Sequence, residues 1–307
     1  MTHDHASPEP VSGRRLGLSI LLTFAFVLAE AVAGYFAHSL ALLSDAGHNL
    51  ADALALILSW YAIRVARRPA DASRTYGYLR VGILAALVNA VSLVVLALII
   101  VWEAISRLRT PEPVQAGPMI VVAFVAMVLN GIISLWLRGE AKHDLNIRSA
   151  YLHMLGDAAS ALGVVVAGVI VALTGASIAD PIVSLLIGGL ILWSSWDILA
   201  ESVNVLMEAA PRHLDMVALE KAVENVPEVL DVHDLHVWTI ASGVIACSCH
   251  VVVVDQSTSS GQQVLRTVAE TLKREFGVTH TTIQVEAEGC APCAISHAQE
   301  SHIGHHH

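Results

Sequence analysis

Charge is what this sequence has least of. Asp, Glu, Lys and Arg together make up 14% of its 307 residues, where a soluble domain carries about a quarter. Apolar residues fill 55%, and the two figures together exclude an ordinary soluble protein and read as an integral membrane protein. Basic residues are scarcer than acidic ones, 17 against 27. Most of that imbalance lies in the last hundred residues, where five basic face thirteen acidic side chains. An acidic C-terminal region argues against nucleic acid and against docking on anionic lipid, which both call for a basic footprint; it is compatible with binding cations. Cysteine is limited to Cys247, Cys249, Cys290 and Cys293, too few and too clustered for a secreted disulfide framework, so reduced thiols in the cytosol are expected. No secretory signal is apparent. The start, "MTHDHASPEPVSGRR", is polar, and the first apolar run outlasts a signal h-region, so the first span is expected to remain in place.

Long apolar runs are what the chain has instead. A span needs roughly 20 apolar residues, and six segments meet that at about 15–37, 39–64, 78–107, 116–138, 147–174 and 178–202. Alternating them across a bilayer puts Arg14, Arg15, Arg64, Arg67, Arg68, Arg74, Arg80, Arg138, Lys142, Arg148 and Arg212 on one side and only Arg107 and Arg109 on the other. The positive-inside rule then predicts both termini in the cytoplasm.

Two of these spans carry side chains that lipid disfavours. "SDAGHNLADALALILSW" holds His48 and Asp52, and "SAYLHMLGDAASALGVVVAGVI" holds His153 and Asp157. A charged side chain at mid-bilayer costs about 2.5–3.5 kcal/mol on insertion scales and usually faces a protein interior with a function. Each pair is spaced i, i+4, so both members share one helix face. If the second and fifth spans pack together, two imidazoles and two carboxylates converge, a set suited to tetrahedral Zn2+. Square-planar copper fits less well, and Mg2+ or Ca2+ prefers all-oxygen ligands. The plainer reading is a pair of hydrogen-bonded couples gluing helices together. Repetition of the same order, "HNLADA" and "HMLGDA", among small residues that permit close approach favours metal. Asp45, one turn before His48, is a candidate for the ion pathway or for supporting the ligands, and Asn49 is a further pathway candidate. Glu30, mid-way along the first span, is a weaker one.

From about Glu208 the pattern is that of a small domain. "LDMVALEKAVENV" has helical spacing, "VLDVHDLHVWTI" and "VIACSCHVVVVD" read as strands, "GQQVLRTVAETLKREF" as an amphipathic helix and "TTIQVEAE" as a third strand. The expected fold is thus a six-helix membrane protein with a C-terminal cytosolic α+β domain, ordered α-β-β-α-β around one three-stranded sheet. The expected domains are a tail at 1–14, a transport domain at 15–207, a cytosolic domain at 208–289 and a Cys/His-containing tail at 290–307. Strict alternation along the first strand would put His233, Leu235 and Val237 on one face, with Asp234, His236 and Trp238 on the other. Cys247 and Cys249 read as buried core.

With these features on the page, the chain resembles the cation diffusion facilitator family of zinc-proton antiporters, and within it the bacterial zinc-efflux branch. The resemblance rests on the six spans, the two HxxxD pairs, "SLALLSDAGHNLAD", "RTYGYLR", "VHDLHVW" and "HTTIQVE", and it extends over nearly the whole chain. It implies zinc efflux from the cytoplasm by alternating access, protons as counter-ion, a homodimer and a bacterial inner-membrane location. It also implies a cytosolic zinc site at His233, His250 and Glu286, with Cys290 and Cys293 of "CAPC" as extra ligands. His280 is left between ligand and surface residue. Many eukaryotic relatives carry a histidine-rich loop between the fourth and fifth spans, whereas "LRGEAKHDLN" offers only His143.

Two other classes compete. An intramembrane zinc hydrolase needs an open coordination position and a nearby Glu base, yet four ligands close the site and no HExxH occurs; an enzyme is not expected. A membrane zinc sensor has no need of ligands at mid-membrane. Within the transporter class, ligand type separates Zn2+ poorly from Cd2+ or Co2+.

Overall fold

The computed structural model describes residues 13–139, 141 and 145–288. They form two compact units, one built from residues up to 68 together with 84–201, the other from 69–83 together with residues from 202 onward.

The first unit is helical. Its helices are α1 (Gly13–Ala37), α2 (Leu40–Ala66), α3 (Val81–Arg109), α4 (Ala116–Leu137), α5 (Leu145–Thr174) and α6 (Ala179–Leu206). Five of them contain stretches long and apolar enough to cross a membrane, and Phe24–Ala37 of α1 is a shorter apolar stretch. Their outward faces are apolar, with Trp102, Trp136 and Leu173 largely exposed, as lipid-facing surface requires. Inside, small residues let the helices approach closely. A Cβ on Gly168 of α5 would fall 2.6 Å from Ile120 of α4, and one on Gly188 of α6 would fall 3.1 Å from Val101 of α3. The shared core draws Leu42 from α2, Ala97 from α3, Met119 from α4, Val164 from α5 and Ile187 from α6. The third helix starts at Val81 rather than at the expected 78, because Gly77 has φ 70° and turns the chain just before it. Likewise α5 stops at Thr174, where Gly175 (φ 72°) leaves the helix while its amide still donates to Val171 O.

The second unit holds α7 (Met216–Glu224), β1 (Val229–Ala241), β2 (Val244–Val253), α8 (Thr258–Phe276) and β3 (Val278–Ala287). The sheet order is β1-β2-β3, with β1 antiparallel and β3 parallel to β2. The parallel pair needs a crossover, which α8 supplies. Asp215 caps α7 by accepting from the amides of Val217 and Ala218, and Gly277 at φ 69° ends α8. One sheet face packs on Leu219, Val223, Val264, Val268 and Leu272 of the two helices. Cys247 and Cys249 lie in that core. The Cys249 thiol beside it and burial hold the Cys247 thiol well above its ordinary pKa, so it behaves as an inert hydrophobe.

Strict alternation fails in β1. Val232 pairs with Val251 and His233 with His250, but the next pair is His236 with Ser248, so two residues of β1 are inserted opposite one of β2. Asp234, at φ 51°, is one of the two. This bulge restarts the period: His233 and His236 lie together on the helix-free face with His250, while Leu235 packs against the core. The expectation that His233 and Leu235 share a face is thereby corrected.

Residues 69–83 belong to this unit. Asp71 organises the loop, its Oδ1 accepting from Ser73 N, Ser73 Oγ and Arg74 N and its Oδ2 from Tyr78 OH. These donors hold its carboxyl well below the usual carboxylate range. Tyr76 packs edge-on against His280 of β3, and Arg80 pairs with Glu208 at 2.8 Å.

Candidate metal centres

Helices α2 and α5 touch sparsely, and the ligand pairs sit where they meet. His48 Nε2 lies 3.4 Å from Asp52 Oδ2 and 3.6 Å from Asp157 Oδ1. His153 Nε2 lies 3.2 Å from Asp52 Oδ2 and 3.6 Å from Asp157 Oδ2. Ligand atoms of His48, His153 and Asp157 all lie within 4.8 Å of one another, a spacing that could hold one small cation, and Asp52 lies beside both imidazoles. Helix-gluing couples would satisfy their polar atoms by hydrogen bonding, yet His48 Nδ1 and Asp52 Oδ2 are buried with no such partner.

The pocket is graded along its axis. His153 and Asp52, nearer the end where α2 finishes and α5 begins, have side chains 44% and 28% exposed, against 19% for His48 and 9% for Asp157. Further along, Asp45 and Glu30 are sealed at 2% and 0%. Among the described residues, exposure of these side chains rises toward the end where α2 finishes and α5 begins. Asn49 donates to Glu30 Oε2 at 3.0 Å, tying α2 to α1, while Glu30 Oε1 is buried without a hydrogen-bond partner.

In the second unit, the bulge sets His233 beside its cross-strand neighbour His250, the ring centroids 5.2 Å apart. Glu286 reaches both from β3, its Oε2 3.4 Å from His233 Nε2 and its Oε1 3.0 Å from His250 Nδ1. Those two nitrogens are buried and have no hydrogen-bond partner, and three donors face one another. The outer nitrogens face carboxylates: Asp231 lies 3.6 Å from His233 Nδ1 and Asp234 lies 3.7 Å from His250 Nε2. Carboxylates so placed orient metal-ligating imidazoles. Sequence reasoning missed both; the signal available was an Asp two before and one after His233 in "DVHD". His280, against Tyr76, belongs to neither cluster, and Cys290 and Cys293 lie outside the described residues.

Residues 16–207 match the cation efflux transmembrane domain and residues 211–288 the cytoplasmic domain of cation efflux proteins. The chain belongs to the cation efflux family. Along its whole length this family member is 40% identical to the zinc transporter ZitB of Escherichia coli (strain K12), covering 99% of that protein. It is 34% identical, over the full length of both chains, to the cadmium, cobalt and zinc/H(+)-K(+) antiporter of Bacillus subtilis (strain 168). A solved structure, the metal-bound C-terminal domain of the CzcD transporter from Cupriavidus metallidurans, matches 24% of the chain and 99% of its own at 36% identity, with a TM-score of 0.22. These relatives are transporters, not enzymes.

Proposed function

We propose that this protein exports Zn2+ from the cytoplasm in exchange for protons, carrying the ion at His48, Asp52, His153 and Asp157 by alternating access. The observation that carries this reading is the convergence of His48, His153 and Asp157 from two helices that touch sparsely, with Asp52 beside both imidazoles. Two imidazoles and two carboxylates favour zinc over the hard ions. Imidazole binds metal only when neutral, so protons and zinc compete for His48 and His153. Zinc loads from the cytoplasm, the site turns outward, protonation there releases the ion, and the protonated site returns.

Orientation follows from the charge count, with both termini cytoplasmic. Packing of residues 69–83 with the C-terminal unit supports one side for both, and the end toward which the ligands become more exposed is then the cytoplasmic end. On this reading the more exposed ligands face inward. The helix-free sheet face is the surface for homodimerisation, and a zinc ion held by His233, His250 and Glu286 would fix that face. The orphaned nitrogens of both histidines fit such an ion. The relatives' names extend to cadmium, cobalt and potassium, so substrate and counter-ion are part of the test.

Inverted vesicles with an imposed pH gradient provide it. Zinc uptake in the native protein should follow the proton gradient and not a potassium gradient, exceed uptake of Cd2+ and Co2+, and vanish in Asp157→Ala. Equal uptake in both proteins would make the HxxxD pairs structural.

A further inference from the structure

Ends of α3, α4 and α6 meet at the short corner between α1 and α2. Ala37 O accepts from Gln115 N at the start of α4, and His38 O accepts from Arg107 Nη1 in the last turn of α3, at 2.9 and 2.7 Å. Arg107 is itself held by Glu103 and Glu112. His38 takes φ 53°, a left-handed conformation uncommon for a residue with a side chain, so the corner is locally strained and fixed by what surrounds it.

The tightest link comes from α6. Asp180, in its first turn and with no exposed surface, reaches across to the start of α2. Its Oδ1 accepts from Ser39 Oγ at 2.5 Å and Ala41 N at 3.2 Å, and its Oδ2 from Leu40 N at 2.7 Å. Helix starts leave backbone amides unpaired. Here Ser39 Oγ accepts from Leu42 N in the usual capping way, and a carboxylate from another helix takes the two amides before it. Negative charge is favoured at this end of a helix dipole, and charge-assisted bonds are the stronger kind. A buried aspartate is therefore fully used, but in holding α2 rather than in holding an ion.

His48 lies eight residues along the same helix, about 12 Å away at 1.5 Å per residue. Beyond the corner, α2 meets α5 sparsely and at the ligands. The helix that carries half of the ion site is thus pinned at one end and touches the other ligand-bearing helix only sparsely. We propose that Asp180 is a positioning residue for transport: it is the fulcrum of α2, and its bonds to Ser39, Leu40 and Ala41 stay closed while the ligand-bearing part of the helix swings between inward and outward states. This rests on the zinc-export reading above.

Two measurements on the full-length transporter in proteoliposomes test it. In Asp180→Asn, which keeps the size and one acceptor, the maximal zinc transport rate per zinc-binding transporter should fall about tenfold while KM for zinc stays within about twofold. A merely stabilising role would lower the amount of binding-competent protein and leave the rate per competent transporter unchanged, which would overturn the proposal. In the native protein, hydrogen–deuterium exchange of the amides of residues 40–42 should be equally slow in the zinc-loaded state and at acidic pH without zinc, while amides around Asp52 and Asp157 change between the two. Loss of protection at 40–42 in either state would mean that the corner opens, and would overturn it without any variant. Native transport in the same vesicles is the control: its absence would refute the export reading itself, whereas its presence with an unaffected Asp180→Asn would refute only the fulcrum.

Discussion

The two candidate metal centres gather the same kinds of donor on different secondary structures. In the helical unit, i, i+4 spacing alone puts each His and Asp on one face, and two helices need only meet. In the sheet unit, three ligands come from three strands, and His233 is brought to its partners beside a bulge that breaks the regular alternation. The first cluster is held at a sparse helix contact and graded from exposed to sealed; the second lies on hydrogen-bonded strands, with carboxylates at the outer faces of its imidazoles. On the proposed reading, a cargo site must open and close, and a resident site must not. The supports around each differ accordingly.

Removing one ligand from each cluster should separate these roles most sharply. Asp157→Ala should reduce zinc transport to background, a loss of at least a hundredfold, with zinc binding by the cytosolic unit intact when measured calorimetrically. Glu286→Gln should do the reverse: one fewer zinc bound per chain, with transport slowed only severalfold. If both variants lost transport equally, the division into cargo and resident sites would fail.

The bulge allows a finer cut. Asp234 adopts φ 51° and sits 3.0 Å from His236 Nε2 and 3.7 Å from His250 Nε2. Asp234→Ala places a residue with a Cβ and no local hydrogen bonding in a left-handed conformation, at roughly 1–2 kcal/mol, and removes the carboxylate beside His250. Cytosolic zinc affinity should fall about 10- to 100-fold, with transport at saturating zinc little changed. Asp234→Gly relieves the strain alone, so it should match the alanine variant in affinity while recovering thermal stability.

How much of this was legible in the sequence follows from the same contrast. The helices, the order of the small domain and the two HxxxD pairs could be read directly, because hydropathy and a helical period are local properties. The faces of β1 could not, since an inserted residue shifts every later side chain to the other face and nothing in "VHDLHVW" announces it. Asp180 was invisible for a different reason. An acidic residue early in a helix reads as ordinary N-terminal preference, and its true partners are residues 39–41, some 140 positions earlier in the chain. Asn49, a pathway candidate, bonds to Glu30 across two helices.

The smallest effect concerns the loop that packs with the sheet unit. Asp71 accepts four hydrogen bonds, and its carboxyl is held below the ordinary range by Ser73 and Tyr78 first and the backbone amides after. A depressed folded-state pKa means that the ionised form is the one stabilised. Its contribution is fully present above the unfolded carboxylate pKa of about 3.9 and is lost only as pH falls through the folded value. Amide exchange at Ser73 and Arg74, corrected for intrinsic rates, should therefore stay constant from pH 8 to pH 5. Asp71→Asn should raise it severalfold throughout that range, because an amide group replaces two charged acceptors. Since the carboxylate is fully exposed and water competes for it, transport should be nearly unchanged. A pH-dependent loosening of the native loop above pH 5 would instead show that Asp71 is not what governs how the loop is held.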